Sequence, residues 1–135
     1  SEFLTVLQKS HCVSADNAHA VHPNYTDRHE LNNAPYVNEG VVVKNNVSQR
    51  YATSPSSVVP IVHAAVTAGV NLQTFSSRNN IACGSTIGPI TATRLGIETV
   101  DIGVPQLSMH SIREMCGTKD PVDLVALLGA YFSRS

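Results

Sequence analysis

Tryptophan is missing from these 135 residues, and all aromatics together make up only 5% of the chain. Charge is scarce too. Asp, Glu, Lys and Arg supply 14% of the residues, with a net charge of −1 at pH 7, where a globular domain commonly carries about a quarter. No basic patch interleaved with aromatics is present. The balance therefore gives no electrostatic case for nucleic acid or for an anionic membrane. No apolar run is long enough to span a bilayer. The opening SEFLTVLQKSH lacks the basic lead and long apolar stretch of a signal peptide. Cysteine is limited to Cys12, Cys83 and Cys116, an odd number with no CxxC spacing, so free thiols in a reducing compartment are expected. That reading places the protein inside the cell, in the cytoplasm. There is no GK[ST] phosphate loop and no GxSxG nucleophile elbow.

What remains is a chain of one domain's length, 42% hydrophobic, able to bury a core. Its low charge implies dense α/β packing or a surface covered by a larger body. HCVSAD predicts a buried strand, Cys12 to Ala15, with Asp16 at its carboxyl end. A long polar stretch rich in Asn and His follows, up to Gly40, and such a loop is a candidate functional element. Val41 to Lys44 is a β-branched strand. Ser54 caps a helix with Pro55 in its first turn and Gly69 at its close. Leu72 to Ser76 is a strand, STIGPITATRLG a helix ending at Gly96, and Ile97 to Ile102 a strand followed by a loop, VPQLS. MHSIREMCG reads as a further helix, from the spacing of Met109, Ile112 and Met115. The last helix has Asp120 as N-cap and Pro121 at its first position. Strands alternating with helices predict an α/β sheet covered on both faces, with ligands outside the carboxyl ends of its strands.

Six residues could carry chemistry there. Asp16 has an oxygen that zinc accepts, or it caps the next turn. His19 and His22, three apart in SADNAHAVHP, can share a helix face as metal or substrate contacts, or sit solvated in a loop. His110, flanked by Met109 and Ile112, reads as half-buried and in need of a partner, of which a metal is one kind. Glu114 more simply pairs with its own helix. Lys44 ends an apolar strand and is one of three lysines. It can meet a substrate carboxylate as a point charge, or reach water. Ser85 opens a helix as an N-cap or as part of an anion site. On spacing alone, these residues point weakly to hydrolytic metal chemistry.

SADNAHAVHPNY, QRYAT, CGSTIGPITATRLG and GVPQLSMHSIREMCG, taken together, closely resemble the C-terminal part of the M18 aspartyl aminopeptidases, a family of dizinc metallopeptidases. The likeness runs from about Val13 to Gly117, and the closing helix fits in position more than in sequence. The resemblance implies a three-layer α/β/α domain around a mixed central sheet. It implies two Zn²⁺ ions per complete active site, release of N-terminal aspartate or glutamate from peptides, and large homo-oligomers, typically dodecamers. In the same sense Asp16 matches a ligand of one zinc and His110 a ligand of the other. His22 matches a histidine beside the substrate, and His19 lies in the same motif. Lys44 matches the lysine that meets the acidic side chain, and Tyr51 a tyrosine near the reacting carbonyl.

In that family the first zinc-binding histidine, the bridging aspartate and the general-base glutamate precede a segment like this one, and a dimerisation domain is inserted in the fold. Neither Glu2 nor Glu30 lies in a matching motif. The expectation is a C-terminal piece of a catalytic domain, its partner the upstream segment, with no peptidase activity in isolation. A related dizinc aminopeptidase of other specificity and a non-catalytic oligomerisation fragment are the competing readings.

Overall fold

The computed structural model describes residues 1–26, 33–45, 51–76 and 87–134. Its elements run α1 (Glu2–Gln8), β1 (His11–His19), β2 (Val41–Asn45), α2 (Pro55–Ala68), β3 (Leu72–Ser76), α3 (Ile87–Leu95), β4 (Glu98–Leu107), β5 (Met115–Cys116) and α4 (Asp120–Phe132). Four strands lie in the order β1-β4-β2-β3, and β5 pairs with β4 beyond β2. The sheet is mixed. β1 runs parallel to β4 and β2 parallel to β3, while β2 meets β4 antiparallel. The chain direction therefore reverses at the β4–β2 seam.

Strand alternation sorts the side chains between two faces. Val41, Val43, Val100 and Ile102 join Ile61, Ala64 and Ala65 of α2 and Leu127 and Tyr131 of α4 in one core cluster. The opposite face carries a smaller cluster of Ala18, Val42, Tyr51 and Phe75. There α3 lies against β4 and β1, with Gly88 directly over Asp101. A Cβ at position 88 would stand 2.5 Å from Asp101 Oδ1, so only glycine lets the helix come this close. Helices on both faces make the three layers expected from the sequence.

Local signals explain α2 well. The Ser54 hydroxyl accepts the Ser57 N–H, and Ser57 Oγ accepts the Ser54 N–H in return, a reciprocal capping box. Gly69 closes the helix at φ 65, the left-handed conformation that glycine adopts without steric cost. Pro60 sits in the second turn without ending the helix. His11 ties three elements together. Its Nδ1 meets the Tyr131 hydroxyl of α4 at 2.7 Å and its Nε2 the Ser57 carbonyl of α2 at 3.0 Å.

Several expectations are corrected. β1 continues to His19, so Asp16 lies inside the strand rather than at its end; nine parallel pairings with β4 carry it onward. β4 likewise runs through Val104–Leu107, read from the sequence as loop, because Gln106 and Leu107 pair with Cys116 and Met115 of β5. MHSIREMCG is not a helix. Ser108 and His110 hold positive φ, 56 and 67, which breaks any helix there, and Ile112 is fully exposed. Asp120 is the first helical residue rather than the cap, which is Lys119. The Asp120 carboxylate is buried and instead accepts the N–H groups of Asn38 and Gly40, at 2.7 and 3.1 Å. The short helix α1 carried no clear sequence signal. The helix start expected at Ser85, and Cys83 and Glu30, lie outside the described residues. Cys12 is half-buried and Cys116 exposed, both as free thiols.

Candidate active site

The reversal at the seam brings the late part of β2 across to the middle of β1. Lys44 Nζ reaches Asp16 Oδ2 at 3.8 Å. The Lys44 side chain is 2% exposed and that of Asp16 60%, so a buried cation stands beneath an open carboxylate. Asp16 Oδ1 accepts the N–H of Asn17 at 2.7 Å. Tyr51 is buried, with its ring centroid 5.7 Å from Lys44 Nζ and edge-on to Phe75 at 6.3 Å. Burial pushes the Lys44 ammonium below its ordinary value, while the charges of Asp16 and Asp101 work the other way.

His19 ends β1 beside Gln106 in the register. Its imidazole is held below the ordinary histidine value by desolvation first, then by the charges of His110 and Lys44. His19, His110 and Lys44 therefore share one electrostatic neighbourhood. His110 is exposed on the turn after β4, not half-buried as its neighbours implied. Its backbone N–H donates to Glu114 Oε1 at 2.6 Å, which pins the turn. Glu114 thus serves locally, though in a turn and not on a helix. His22 is half-buried. Its Nδ1 accepts the Asn24 N–H at 3.1 Å and its ring lies 5.2 Å from that of Tyr25. These described contacts of His22 stay within its own turn.

Asp16 and His110 offer one carboxylate and one imidazole, donor types that zinc takes. Among the described residues no three His, Cys, Asp or Glu side chains gather as a metal site, and zinc takes about four ligands. In donor type the two residues fit part of a zinc site, which would need further ligands.

The sequence reading passed over Asp101. It is buried on the same face, with Oδ2 accepting the Ala52 N–H at 2.6 Å and its own N–H donating to Thr53 Oγ1 at 3.0 Å. One signal was available: an acid in the middle of the apolar strand TVDIGV, where an unpaired carboxylate would be costly.

The mixed sheet lies between helix layers, with the Lys44–Asp16 pair on one of its faces and His19 at the end of β1. The family model described as aminopeptidase I zinc metalloprotease (M18) matches residues 1–132, and the chain belongs to that family. It is 51% identical over 132 residues to a probable M18 family aminopeptidase 2 of Pseudomonas fluorescens, covering 98% of this chain and 31% of the relative. It thus spans about a third of the length of such relatives. Among solved structures, it superposes with a TM-score of 0.94 and 48% identity on a chain of the Ape4 and Nbr1 complex, covering 96% of this chain and 25% of that one. For the S. cerevisiae mApe1 dodecamer the TM-score is 0.86 at 31% identity, over 98% of this chain and 28% of that one. No described helix is long and apolar enough to cross a membrane.

Proposed function

We propose that this chain is the C-terminal segment of the catalytic domain of a cytoplasmic dizinc aminopeptidase that releases N-terminal aspartate or glutamate from peptides. The observation that carries the specificity is the buried Lys44 ammonium beside an open carboxylate. A cation held out of water favours a substrate side chain that carries the opposite charge. A neutral side chain would leave it without that partner.

Asp16 and His110 each contribute one ligand to a zinc pair. The metal that they would help to hold would supply a water of lowered pKa and a positive charge for the reacting carbonyl. Lys44 binds the acidic side chain of the substrate. The Tyr51 phenol lies near the reacting carbonyl, where a donor stabilises developing negative charge. His22 contacts the substrate, and His19 lines the same cleft. The general-base glutamate, the remaining zinc ligands and the inserted dimerisation domain belong to the two-thirds of the relatives' length that this chain does not span. Assembly into a dodecamer follows by analogy with the mApe1 dodecamer it resembles.

The test compares kcat/KM of the full-length enzyme on aspartyl, glutamyl and leucyl anilides, with zinc measured by elemental analysis. The expected result is two zinc ions per chain and a strong preference for the acidic substrates. Equal turnover of all three would favour a dizinc aminopeptidase of other specificity. A zinc-free, inactive assembly would favour a scaffold.

A further inference from the structure

The acid-recognising reading of Lys44 leaves one question: what holds the lysine and its aromatic wall in place? Lys44 sits near the end of a short strand, and its wall, Tyr51, belongs to the irregular segment leading into α2. That segment is tied at two adjacent points to one residue. Asp101 Oδ2 accepts the Ala52 N–H at 2.6 Å, and the Asp101 N–H donates to Thr53 Oγ1 at 3.0 Å. The second bond uses a backbone donor of the sheet itself. Among the described residues β2 pairs with β4 at Val42–Gly103 and Val43–Ile102, and carrying that register one step further sets Lys44 opposite Asp101.

The carboxylate has no room to relax. Asp101 is fully buried, and Gly88 of α3 closes over it. A bond from a backbone N–H to a carboxylate is among the stronger hydrogen bonds, so the tie is stiff as well as short. Tyr51 follows directly from it. With Ala52 and Thr53 fixed, the Tyr51 ring is held between Phe75 and the Lys44 ammonium. The negative charge beneath also favours the charged lysine.

We propose that Asp101 is a positioning residue for substrate specificity, clamping the Tyr51–Thr53 segment so that Tyr51 and Lys44 present a fixed, charged pocket to an acidic N-terminal side chain. It touches no substrate and acts through those two residues. This rests on the reading of Lys44 as the acid-binding group.

The test uses the full-length enzyme and three proteins: wild type, Asp101→Asn and Thr53→Val. Asp101→Asn removes the charge. Thr53→Val keeps it and removes only the hydroxyl that accepts the Asp101 N–H. Steady-state kinetics are measured on aspartyl and leucyl anilides. Misplacement by a fraction of an ångström costs on the order of tenfold. Both variants are therefore expected to raise KM for the aspartyl substrate about tenfold and to leave KM for the leucyl substrate near its wild-type value, while any loss of kcat through the Tyr51 phenol falls on both substrates alike. If Asp101→Asn fails to assemble, Thr53→Val decides alone. Equal rises in KM for both substrates, or no rise for either, overturn the clamp while the wild-type preference for aspartate still stands. A wild type without that preference overturns the reading of Lys44 and the clamp with it.

Discussion

The two faces of the sheet are built from the same five strands and from different chemistry. On the face beneath α2 and α4, valines, isoleucines, alanines and a leucine fill a continuous core. The face beneath α3 has four apolar residues in its cluster, with Lys44, Asp101 and Asp16 around them. A buried charge costs stability unless it is paired, so the second face would be a poor way to hold a fold together. The first face supplies the stability that lets the second carry charges. The comparison separates two roles, and each can be attacked without the other.

The largest expected effect lies on the polar face. Replacing Lys44 with methionine should lower kcat/KM for aspartyl substrates by about 10²–10³-fold, the scale of losing one partner of a buried charge pair. The same change should leave stability equal or higher, since it removes the cost of burying an ammonium while the partner carboxylate of Asp16, 60% exposed, stays in water. Denaturant midpoint and kinetics on one preparation measure both. A parallel loss of stability would erase the distinction between the faces.

On the apolar face the signs reverse. Leu127 is fully buried in the α4 layer, and Leu127→Ala should destabilise the fold by about 3 kcal/mol. The proposed preference for acidic substrates, measured below the melting temperature, should be untouched. Gly88→Ala probes the polar face by volume alone. The new methyl overlaps the Asp101 carboxylate, and about 1–3 kcal/mol of strain is expected, visible as a lower Tm.

The smallest effect is a pH dependence at the His11–Tyr131 junction. Burial raises the Tyr131 hydroxyl above its ordinary value of 10.0, followed in weight by the opposing charge of Arg134. A group raised in the folded state binds its proton more tightly there than in the unfolded chain. Its contribution is therefore complete below about pH 10 and is lost as pH rises through the folded-state value. Tyr131→Phe should flatten the alkaline limb of a stability–pH curve and cost about 1 kcal/mol at neutral pH, since the hydroxyl bonds His11. An unchanged alkaline limb would assign that limb to other groups.

The sequence made the regular elements readable where the signals were local. VVVK, the Ser54–Pro55 start and the Gly69 stop of α2, and the strand Leu72–Ser76 all stand where their residues point. It misled where pairing across the chain decided the outcome. β4 is lengthened by β5, whose two residues have no strand signal of their own. Met109, Ile112 and Met115 are spaced as on a helix, yet two left-handed residues in the same stretch turn it. The same division holds for the site. Lys44 is legible because a lysine ending an apolar strand is conspicuous. That it meets Asp16 follows from the antiparallel seam, which periodicity does not contain. Asp101 was hidden because its partners, Ala52 and Thr53, are ordinary residues nearly fifty positions away.

His110 deserves a last consequence. Its backbone sits at φ 67, where a side chain with a Cβ costs on the order of 1 kcal/mol and glycine costs little. A chain selected only to fold would put glycine or asparagine at this position. Random variants ranked by stability alone should therefore drift away from histidine at 110, while variants ranked by turnover should hold it if it ligates zinc as proposed. At this one residue the two selections would pull the lineage in opposite directions.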